Sequence, residues 1–373
     1  MSHRAVTYGD GSIHEPSSAV NQRPWIDALR HEGNGPATIK DVARLAGVSR
    51  STVSNVIRGS STVADDLRQR VLAVIAETNY RPYARARSLR ERTTGMIALI
   101  IADTGNPFYA SFGLGVEEAA TLGEPLMIVA NTHCDPVAEL ALCDSLISRR
   151  VDGVIVGDLS SNAAFPSILA DNGIPVVLAG CGVSTDPRIG AVDTDDEQAM
   201  HLVVNHLSVL GHQRVCYAGP VDERAAASRR RLAARVAASR TGIELQEDEA
   251  DGATAVICHN DLVAIDNLDV LERGGWNVPD DVSVVGFDDT PLAAHHRIDL
   301  TSVRCDAVAL GRMAATQIFN AIASGRHATE RQLLECELVV RGTTAPFRAT
   351  SRTLGSGWKP VHGADAHRER TAP

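Results

Sequence analysis

Hydrophobic positions between residues 38 and 60 follow a helical period in two short blocks separated by a tight turn. Thr38 is placed to cap the first helix, with Asp41 completing a near capping box, and Gly47 to end it. Ser49 is placed to cap the second. Spacings of three and four residues predict one buried face on each helix. The inward positions are Ile39, Val42, Ala43 and Ala46, then Val53, Val56 and Ile57.

A third helical block follows after Val63. Asp65 and Asp66 suit the positive N-terminal end of a helix. The inner face is predicted from Leu67, Val71, Val74, Ile75 and Thr78. Three helices that close one small core make a minimal domain.

From Met96 onward, apolar runs alternate with helical stretches such as 111–122 and 137–148. This alternation predicts an α/β fold with a doubly wound parallel sheet. Two successive sets of runs predict two similar lobes, with a ligand cleft at the carboxyl ends of their strands. The predicted strands are 96–102, 125–130, 153–157, 175–180, 214–219, 254–259 and 282–287.

These patterns divide the chain into five parts. Residues 1–36 are rich in Gly, Ser, Pro and charge, which predicts a disordered extension, or upstream sequence from a wrongly assigned start. The three-helix domain spans 37–80 and a linker spans 81–94. The two-lobed core spans 95–345, and 346–373 are predicted to be a disordered tail.

Charge is distributed unevenly along the chain. The net charge is −10, yet residues 37–95 hold eleven Lys and Arg against five Asp and Glu. A basic module on an acidic body is expected when one small part of a protein meets phosphate. The seven cysteines are scattered without a CxxC pair, which disfavours a zinc site and fits buried thiols in a reducing cytosol. No apolar run predicts a membrane span or a secretory signal.

The outward face of the second helix carries candidate chemistry. Its side chains supply donors and acceptors of the kinds that read base edges in the major groove, together with charge for phosphates. An ordinary helical hairpin with a solvated face is the alternative reading of this stretch. The outward residues are Arg50, Ser51, Ser54, Asn55 and Arg58.

Residues 79–95 carry five arginines and few large apolar side chains. Such a segment cannot form a core alone, but it can become helical when phosphate neutralises it. Leu89 is its one large aliphatic residue. It could wedge between base steps from the minor groove, or instead pack on the neighbouring domain.

The order of several motifs resembles the LacI–GalR family of bacterial transcriptional regulators, from about Thr38 to Ala345. The motifs are TIKDVARLAGVSRSTVSNVI, NYRP, NPFY, VDGVIV, HLVVNHLSVLGHQRV, HNDLVAI, VPDDVSVVGFDDTPLA and LVVRGTT. The resemblance implies a DNA-binding headpiece, a hinge helix and a core like periplasmic sugar-binding proteins. It also implies a cytoplasmic, nucleoid-associated homodimer, sometimes a tetramer, that binds operator DNA under control of a small effector and needs no cofactor.

The resemblance also assigns candidate site residues. Arg50, Ser51 and Asn55 correspond to base-reading positions, and Leu89 with Ala86 corresponds to the hinge wedge. The full DNA-binding set is Thr38, Arg50, Ser51, Thr52, Ser54, Asn55, Arg58, Arg85, Ala86 and Leu89. The effector-binding set, suited to the hydroxyls of a sugar or nucleoside, is Asn106, Phe108, Tyr109, Arg231, Asn260 and Asp288.

Each effector assignment has a plainer alternative, and the sequence departs from the family twice. Asn260 and Asp288 could only cap helices or turns, and Arg231 could be a solvated helix residue. The segment between Arg231 and Asn260 is much shorter than the family's, which predicts a second lobe that lacks a strand and a helix. Gly180 stands where many members place a polar ligand contact.

Three functional classes compete on the sequence. A transcriptional regulator, most simply a repressor, explains both the basic module and the core; a variant of it has a shortened lobe that no longer responds to an effector. A periplasmic solute-binding protein would need a signal peptide and would leave residues 38–94 without a role. An enzyme is disfavoured because GxGxxG, P-loop and GxSxG motifs and clustered metal ligands are missing from the sequence.

Overall fold

A computed structural model of the chain describes residues 37–57, 59–80, 93–120, 125–160, 163–220, 225–247, 250–348, 352–355 and 357–362. The chain divides into two compact units at the boundary between Arg87 and Ser88. No helix in the described parts of the chain is long and apolar enough to cross a membrane.

The headpiece in the first unit contains three helices around one small core. All the predicted inward residues of the first helix contribute to the core, but the prediction for Ile57 is wrong, because this side chain is 36% exposed. Ile57 is the last residue of its helix. Tyr80 instead closes the core from beyond the third helix. The helices are α1 (Ile39–Ala46), α2 (Arg50–Ile57) and α3 (Asp65–Thr78).

Local hydrogen bonds fix the turn between α1 and α2. Thr38 and Asp41 form a reciprocal capping box, with the Thr38 backbone N–H 3.0 Å from the Asp41 carboxylate. Gly47 ends α1 in the left-handed region at φ 67°, a conformation that glycine adopts without strain. The Ser49 hydroxyl accepts from the backbone N–H of Thr52 at 3.1 Å, as expected of a cap.

The second unit is an α/β structure with two six-stranded sheets, as the alternating pattern predicts. Its strands are β1 (Met96–Ile101), β2 (Leu126–Asn131), β3 (Gly153–Val156), β4 (Val176–Ala179), β5 (Gly190–Thr194), β6 (Arg214–Ala218), β7 (Glu244–Gln246), β8 (Ala255–Cys258), β9 (Ser283–Asp288), β10 (Thr301–Arg304), β11 (Arg331–Leu334) and β12 (Glu337–Val339). Its helices are α4 (Pro107–Ala119), α5 (Pro136–Arg149), α6 (Phe165–Asp171), α7 (Asp196–Val209), α8 (Ala225–Thr241), α9 (Asp261–Arg273) and α10 (Ala307–Ser324).

Each sheet forms the centre of one lobe. The first has the order β11-β5-β4-β3-β1-β2 and the second the order β12-β10-β9-β8-β6-β7. Every pairing is parallel except that of β10 with β12. All seven strands predicted from apolar runs are present. In central strands such as β3 and β4, burial on both faces explains the continuous apolar sequence.

The chain crosses between the lobes three times: at Asp195 between β5 and α7, at 305–306 between β10 and α10, and at 335–336 between β11 and β12. Helix α10 therefore returns to the first lobe, where it packs on β3, β4 and β5 and on α4. A Cβ at Gly115 would lie 2.0 Å from the Val308 carbonyl oxygen, so the two helix backbones touch where they cross. The carboxyl ends of parallel strands from both sheets meet between these crossovers.

The prediction that the second lobe lacks both a strand and a helix is wrong for the strand. The strand is present as β7, a three-residue edge strand that pairs in parallel with β6. Only eight residues, 247–254, separate β7 from β8, and none of those that the structure describes is helical. A parallel crossover usually carries a helix that covers the sheet, so here one sheet face lacks that cover.

The C-terminal segment covers part of this face, in contrast to the predicted disordered tail. Leu354 is fully buried against the apolar face of β6, β8 and β9, and Trp358 packs beside it. The Leu354 backbone N–H donates to the Ala253 carbonyl at 2.9 Å, and the Leu354 carbonyl accepts from Gly252 at 2.7 Å. Residues 352–355 and 357–362 are therefore part of the second lobe.

Candidate functional site

The outer face of α2 presents the predicted DNA-reading residues to different extents. Arg50 and Ser51 are exposed at the first turn of the helix, and Ser54 and Asn55 are half-buried one turn later. The Thr52 hydroxyl lies 2.9 Å from that of Ser49, within the cap.

The remaining predicted DNA-binding residues are Thr38, at the start of α1, and four positions that the structure does not describe. Thr38 is exposed, and its hydroxyl donates to the Asp41 carboxylate at 2.6 Å, so it serves first as a helix cap. Four predicted positions lie outside the described residues: Arg58, Arg85, Ala86 and Leu89.

The cleft between the lobes contains a cavity of about 50 Å³. Asn106, Phe108 and Tyr109 line it from the first lobe, and Asn260 and Asp288 line it from the second, so five of the six predicted effector residues meet there. Drug-sized ligand sites usually exceed about 300 Å³. The lobes are therefore closed on each other, and entry of a sugar-sized molecule requires them to open.

Helix caps position two polar side chains at the cavity. The Asn106 side chain accepts from the backbone N–H of Phe108 at 3.0 Å and begins α4. The Asn260 side chain accepts from Val263 at 2.9 Å and begins α9. Each Asn uses its oxygen for the cap and keeps its amide N–H groups as donors. Capping and cavity lining are therefore combined in the same residues.

Arg230, not the predicted Arg231, lies in the cavity wall. Consecutive helical residues differ by about 100° in direction, so a one-residue shift turns the side chain away. Arg230 is 6% exposed and donates to the His259 carbonyl at 2.6 Å, whereas Arg231 donates to the Pro220 carbonyl. The Arg230 guanidinium lies 3.4 Å from the centre of the Phe287 ring, close enough for a cation–π interaction.

An ion-pair network joins the lobes beside the cavity. Arg229 of α8 contacts Asp193 of β5 at 2.6 Å and Asp196 at the start of α7 at 3.1 Å. Arg230 lies 3.6 Å from the same Asp196 carboxylate. Burial raises the pKa of Asp193, while Arg229 opposes this rise. Because β5 belongs to the first lobe and α8 to the second, the contact of Arg229 with Asp193 holds the cleft closed.

Asp288 at the end of β9 has an unusual environment. Burial raises its pKa to about 8, Arg230 opposes the rise, and Asp261 adds to it. A side-chain hydrogen bond from Asn106 connects Asp288 to the opposite lobe. Its φ of 107° is a strained conformation for a residue other than glycine, of the kind concentrated at functional sites. A carboxyl group that titrates near neutrality can donate or accept a ligand hydrogen bond.

The raised pKa of Asp288 predicts a loss of stability with rising pH. An ordinary Asp in the unfolded chain is deprotonated above about pH 4, whereas the folded protein keeps the Asp288 proton up to about pH 8. Between these limits unfolding releases a proton, so the free energy of unfolding falls by at most about 1.4 kcal/mol per pH unit. Urea unfolding of Asp288→Asn should show a shallower pH slope than the wild type.

The exposed Asp251 provides the control for this measurement, since Asp251→Asn should keep the wild-type slope. Burial raises the pKa of Asp261 to about 6, so some slope should persist in Asp288→Asn below that pH. Equal slopes in the wild type and Asp288→Asn between about pH 6 and about pH 8 would contradict the assignment.

Several cavity residues were missed by the sequence reasoning. Asp158 and Thr194 come from the first lobe, and His259, Phe287 and Cys305 from the second. Each lies within two residues of the carboxyl end of a strand, so the general rule for strand ends could have found them. Among the residues that the structure describes, no group of three or more His, Cys, Asp or Glu side chains could hold a metal ion.

Two family models match the chain. The model of bacterial regulatory proteins of the lacI family matches residues 38–83, which include the headpiece helices. The model of the periplasmic binding protein-like domain matches residues 204–344, within the two-lobed core. The order of the matches reproduces the two units of the fold.

Individual proteins are similar over most of the chain. The HTH-type transcriptional repressor PurR of Photobacterium profundum is 31% identical over 330 residues, 82% of this chain and 98% of that protein. The lac repressor dimer bound to operator and the anti-inducer ONPF is 26% identical, with a TM-score of 0.71, over 83% of this chain and 100% of that chain. A complex of the transcriptional regulator CelR with cellobiose is 29% identical, with a TM-score of 0.60, over 82% and 99%.

Proposed function

The chain belongs to the lacI family of bacterial regulatory proteins and is a DNA-binding transcriptional regulator, and we propose that it represses transcription as a homodimer on a near-palindromic operator. The observation that supports this most directly is the headpiece, in which α2 presents Arg50 and Ser51 outward above a core that includes Val53 and Val56. Such a helix fits the major groove. Binding at an operator would place the protein in the cytoplasm, at the nucleoid.

In this proposal Arg50 reads guanine, and Ser51 and Asn55 contact neighbouring base edges or phosphates. The capping box of α1, Gly47 and the Ser49 cap fix the direction of α2, so the reading residues are held by backbone geometry. Leu89, with Arg85 and Ala86, would act from the hinge in the minor groove. Two headpieces would then bind half-sites about one helical turn apart.

Arg50→Ala should relax base preference at one position of each half-site and cost about 1–3 kcal/mol of specific binding. Selection of bound sequences from random DNA gives the wild-type operator, and the same selection with Arg50→Ala should lose information at one symmetric pair of positions. Arg44, exposed on α1, provides a matched control, because Arg44→Ala removes the same charge outside α2. Equal weakening on all DNA by both variants would contradict base reading by Arg50.

The core would bind a small hydroxyl-bearing effector of the sugar or nucleoside class. The cavity offers the amides of Asn106 and Asn260, the carboxyl of Asp288 and the guanidinium of Arg230, together with the aromatic side chains of Phe108 and Tyr109. Amides, carboxyls and guanidinium groups pair with hydroxyls, and aromatic faces stack on rings. The cellobiose bound by CelR and the ONPF bound by the lac repressor are ligands of related cores.

Regulation would follow from the two lobe arrangements. Because the closed cavity is only about 50 Å³, an effector must bind an arrangement with more space. A ligand shifts the equilibrium only through its different affinity for the two states. The shortened link between β7 and β8 favours one alternative, in which the protein binds operator without responding to any effector.

Thermal unfolding with a panel of sugars and nucleosides separates these possibilities, since a ligand specific for the folded state raises the unfolding temperature. A responsive regulator should show a shift with one class of compound, and Asp288→Ala should abolish that shift while leaving operator affinity intact. A wild type that shifts with no compound, yet selects a palindromic operator, would favour the unresponsive regulator.

A further inference from the structure

Two buried cysteines face each other where the chain crosses between the lobes. The sulfur atoms of Cys305 and Cys336 lie 3.2 Å apart, and the two residues are 3% and 6% exposed. Cys305 directly follows β10 on the way into the first lobe, and Cys336 directly precedes β12 on the way back. The pair thus lies in two of the three crossovers.

The strand register explains why these sulfurs meet. In the antiparallel pair of β10 and β12, Ser302 lies opposite Val339 and Arg304 opposite Glu337. Continuing this register by one residue places Cys305 opposite Cys336. Directly opposed residues of antiparallel strands have Cα atoms about 4.5–5.5 Å apart, within the range that a disulfide spans. The sulfurs need to approach by only about 1 Å to reach a bond length of about 2.05 Å.

The surroundings connect this pair to both the cleft and the remaining crossover. Cys305 lines the cavity. The Gln198 side chain, in the first turn of α7, donates to the Cys336 carbonyl at 3.0 Å and accepts from the Cys336 backbone N–H at 3.1 Å. A bond between the two sulfurs would therefore join two of the three segments that connect the lobes, next to the start of the third.

We propose that Cys305 and Cys336 form a redox-sensitive dithiol that closes to a disulfide across two of the three crossovers and so restricts rotation of one lobe against the other. A hydroperoxide is the oxidant. The Cys305 thiolate attacks the peroxide oxygen, the O–O bond breaks, and a sulfenic acid forms with loss of an alcohol or water. The Cys336 sulfur then attacks the sulfenic sulfur, the S–S bond forms, and water leaves. Two electrons pass from the thiols to the peroxide, and a small-molecule thiol reverses the change by exchange.

Burial makes the reaction depend on lobe opening. It raises the pKa of the Cys305 thiol well above its ordinary value, and the neighbouring Cys336 adds to the rise. Because the thiolate is the reactive form, the closed cleft protects the pair. Cys305 faces the cavity, so opening of the cleft admits both water and the peroxide. The dithiol therefore reacts when the lobes are apart and then holds that arrangement.

Peptide mapping of the full-length native protein after hydrogen peroxide treatment tests the chemistry. The expected product is two hydrogens lighter and contains a linked Cys305–Cys336 peptide that dithiothreitol removes. The variants Cys305→Ser and Cys336→Ser should form no such product. As a matched control, Cys216→Ser with Cys258→Ser removes two buried thiols that lie two positions out of register on β6 and β8, and it should still form the link. A link that forms only in denaturant, or not at all, would overturn the proposal.

Hydrogen exchange of the reduced and oxidised proteins tests the consequence, and it needs neither operator nor effector. Because the disulfide holds the lobes apart, oxidation should speed amide hydrogen exchange several-fold in peptides that cover 106–109 and 287–290. This should occur in the wild type and in the double Cys216, Cys258 variant. Oxidation should leave them unchanged in a protein with Cys305→Ser and Cys336→Ser. A disulfide that forms without altering this exchange would refute the restriction of lobe rotation.

Discussion

Removal of residues 349–373 is expected to destabilise the second lobe strongly. The truncation takes away Leu354, which is fully buried, and Trp358, which packs on the same apolar cluster. It also removes two hydrogen bonds between the buried Asn267 side chain and the Val361 backbone, each 3.0 Å long. The sheet face that lacks a crossover helix would then contact water. Urea unfolding should show a lower midpoint, and a dye that binds exposed apolar surface should fluoresce.

A single substitution isolates the packing contribution of this segment. Leu354→Ala should cost about 2–5 kcal/mol, the usual range for a fully buried leucine. Leu232 of α8 provides the matched control in the same lobe, since it is 61% exposed and Leu232→Ala should change stability by less than about 1 kcal/mol. Equal effects of the two substitutions would show that the C-terminal segment does not pack on the lobe in solution.

The sequence predicts the segments in which hydrophobic burial alone decides the structure. Strands β1, β3 and β4 are buried along nearly their whole length, so their apolar runs are continuous and easily recognised. β10 is also buried, but it contains Thr301 and Ser302, whose hydroxyl groups form hydrogen bonds within the fold. The Ser302 hydroxyl lies 2.6 Å from the Asp261 carboxylate. Polar residues interrupt the apolar run that would identify a buried strand. Their hydrogen-bond partners are distant in sequence, so the sequence pattern does not show that these residues are buried.

The C-terminal segment was not predicted for a different reason. Leu354 and Trp358 are isolated apolar residues in a stretch rich in Gly and Ser, so no period indicates a helix or strand. Their burial depends on the short link between β7 and β8, which leaves a sheet face open elsewhere in the chain. The sequence did indicate the short link. Only the three-dimensional arrangement reveals what covers the face.

The choice between Arg230 and Arg231 could have been made from sequence. Alanines of α8 form a buried stripe that includes Ala226, Ala227, Ala233 and Ala234. Arg230 lies four residues after Ala226 and four before Ala234, on the same face, whereas Arg231 lies about 100° further around the helix. The family resemblance assigned Arg231, but helical periodicity, applied to the alanines, predicts Arg230.

Arg230→Met should therefore cost about 3–5 kcal/mol above about pH 8, where Asp288 is ionised, because it removes the cation beside two buried carboxylates. Asp196 is 5% exposed and Asp288 is 8% exposed, so neither can regain solvation without opening the cleft. Methionine retains much of the side-chain length over Phe287, which limits the loss of packing. Arg231→Met is the matched control one residue away and should cost about 1 kcal/mol, the value of a hydrogen bond to a carbonyl.

The pH dependence of this cost distinguishes charge pairing from packing. With Arg230 gone, the pKa of Asp288 should rise further, since Arg230 is the largest influence that lowers it. The variant then holds the Asp288 proton to a higher pH than the wild type, so its stability deficit should shrink as the pH is lowered. Because the wild-type Asp288 loses its proton only near pH 8, urea unfolding of both proteins at about pH 6 and about pH 10 measures the difference. A deficit that is the same at both pH values would mean that Arg230 stabilises the core by packing on Phe287, and that the cavity carboxyls do not depend on its charge.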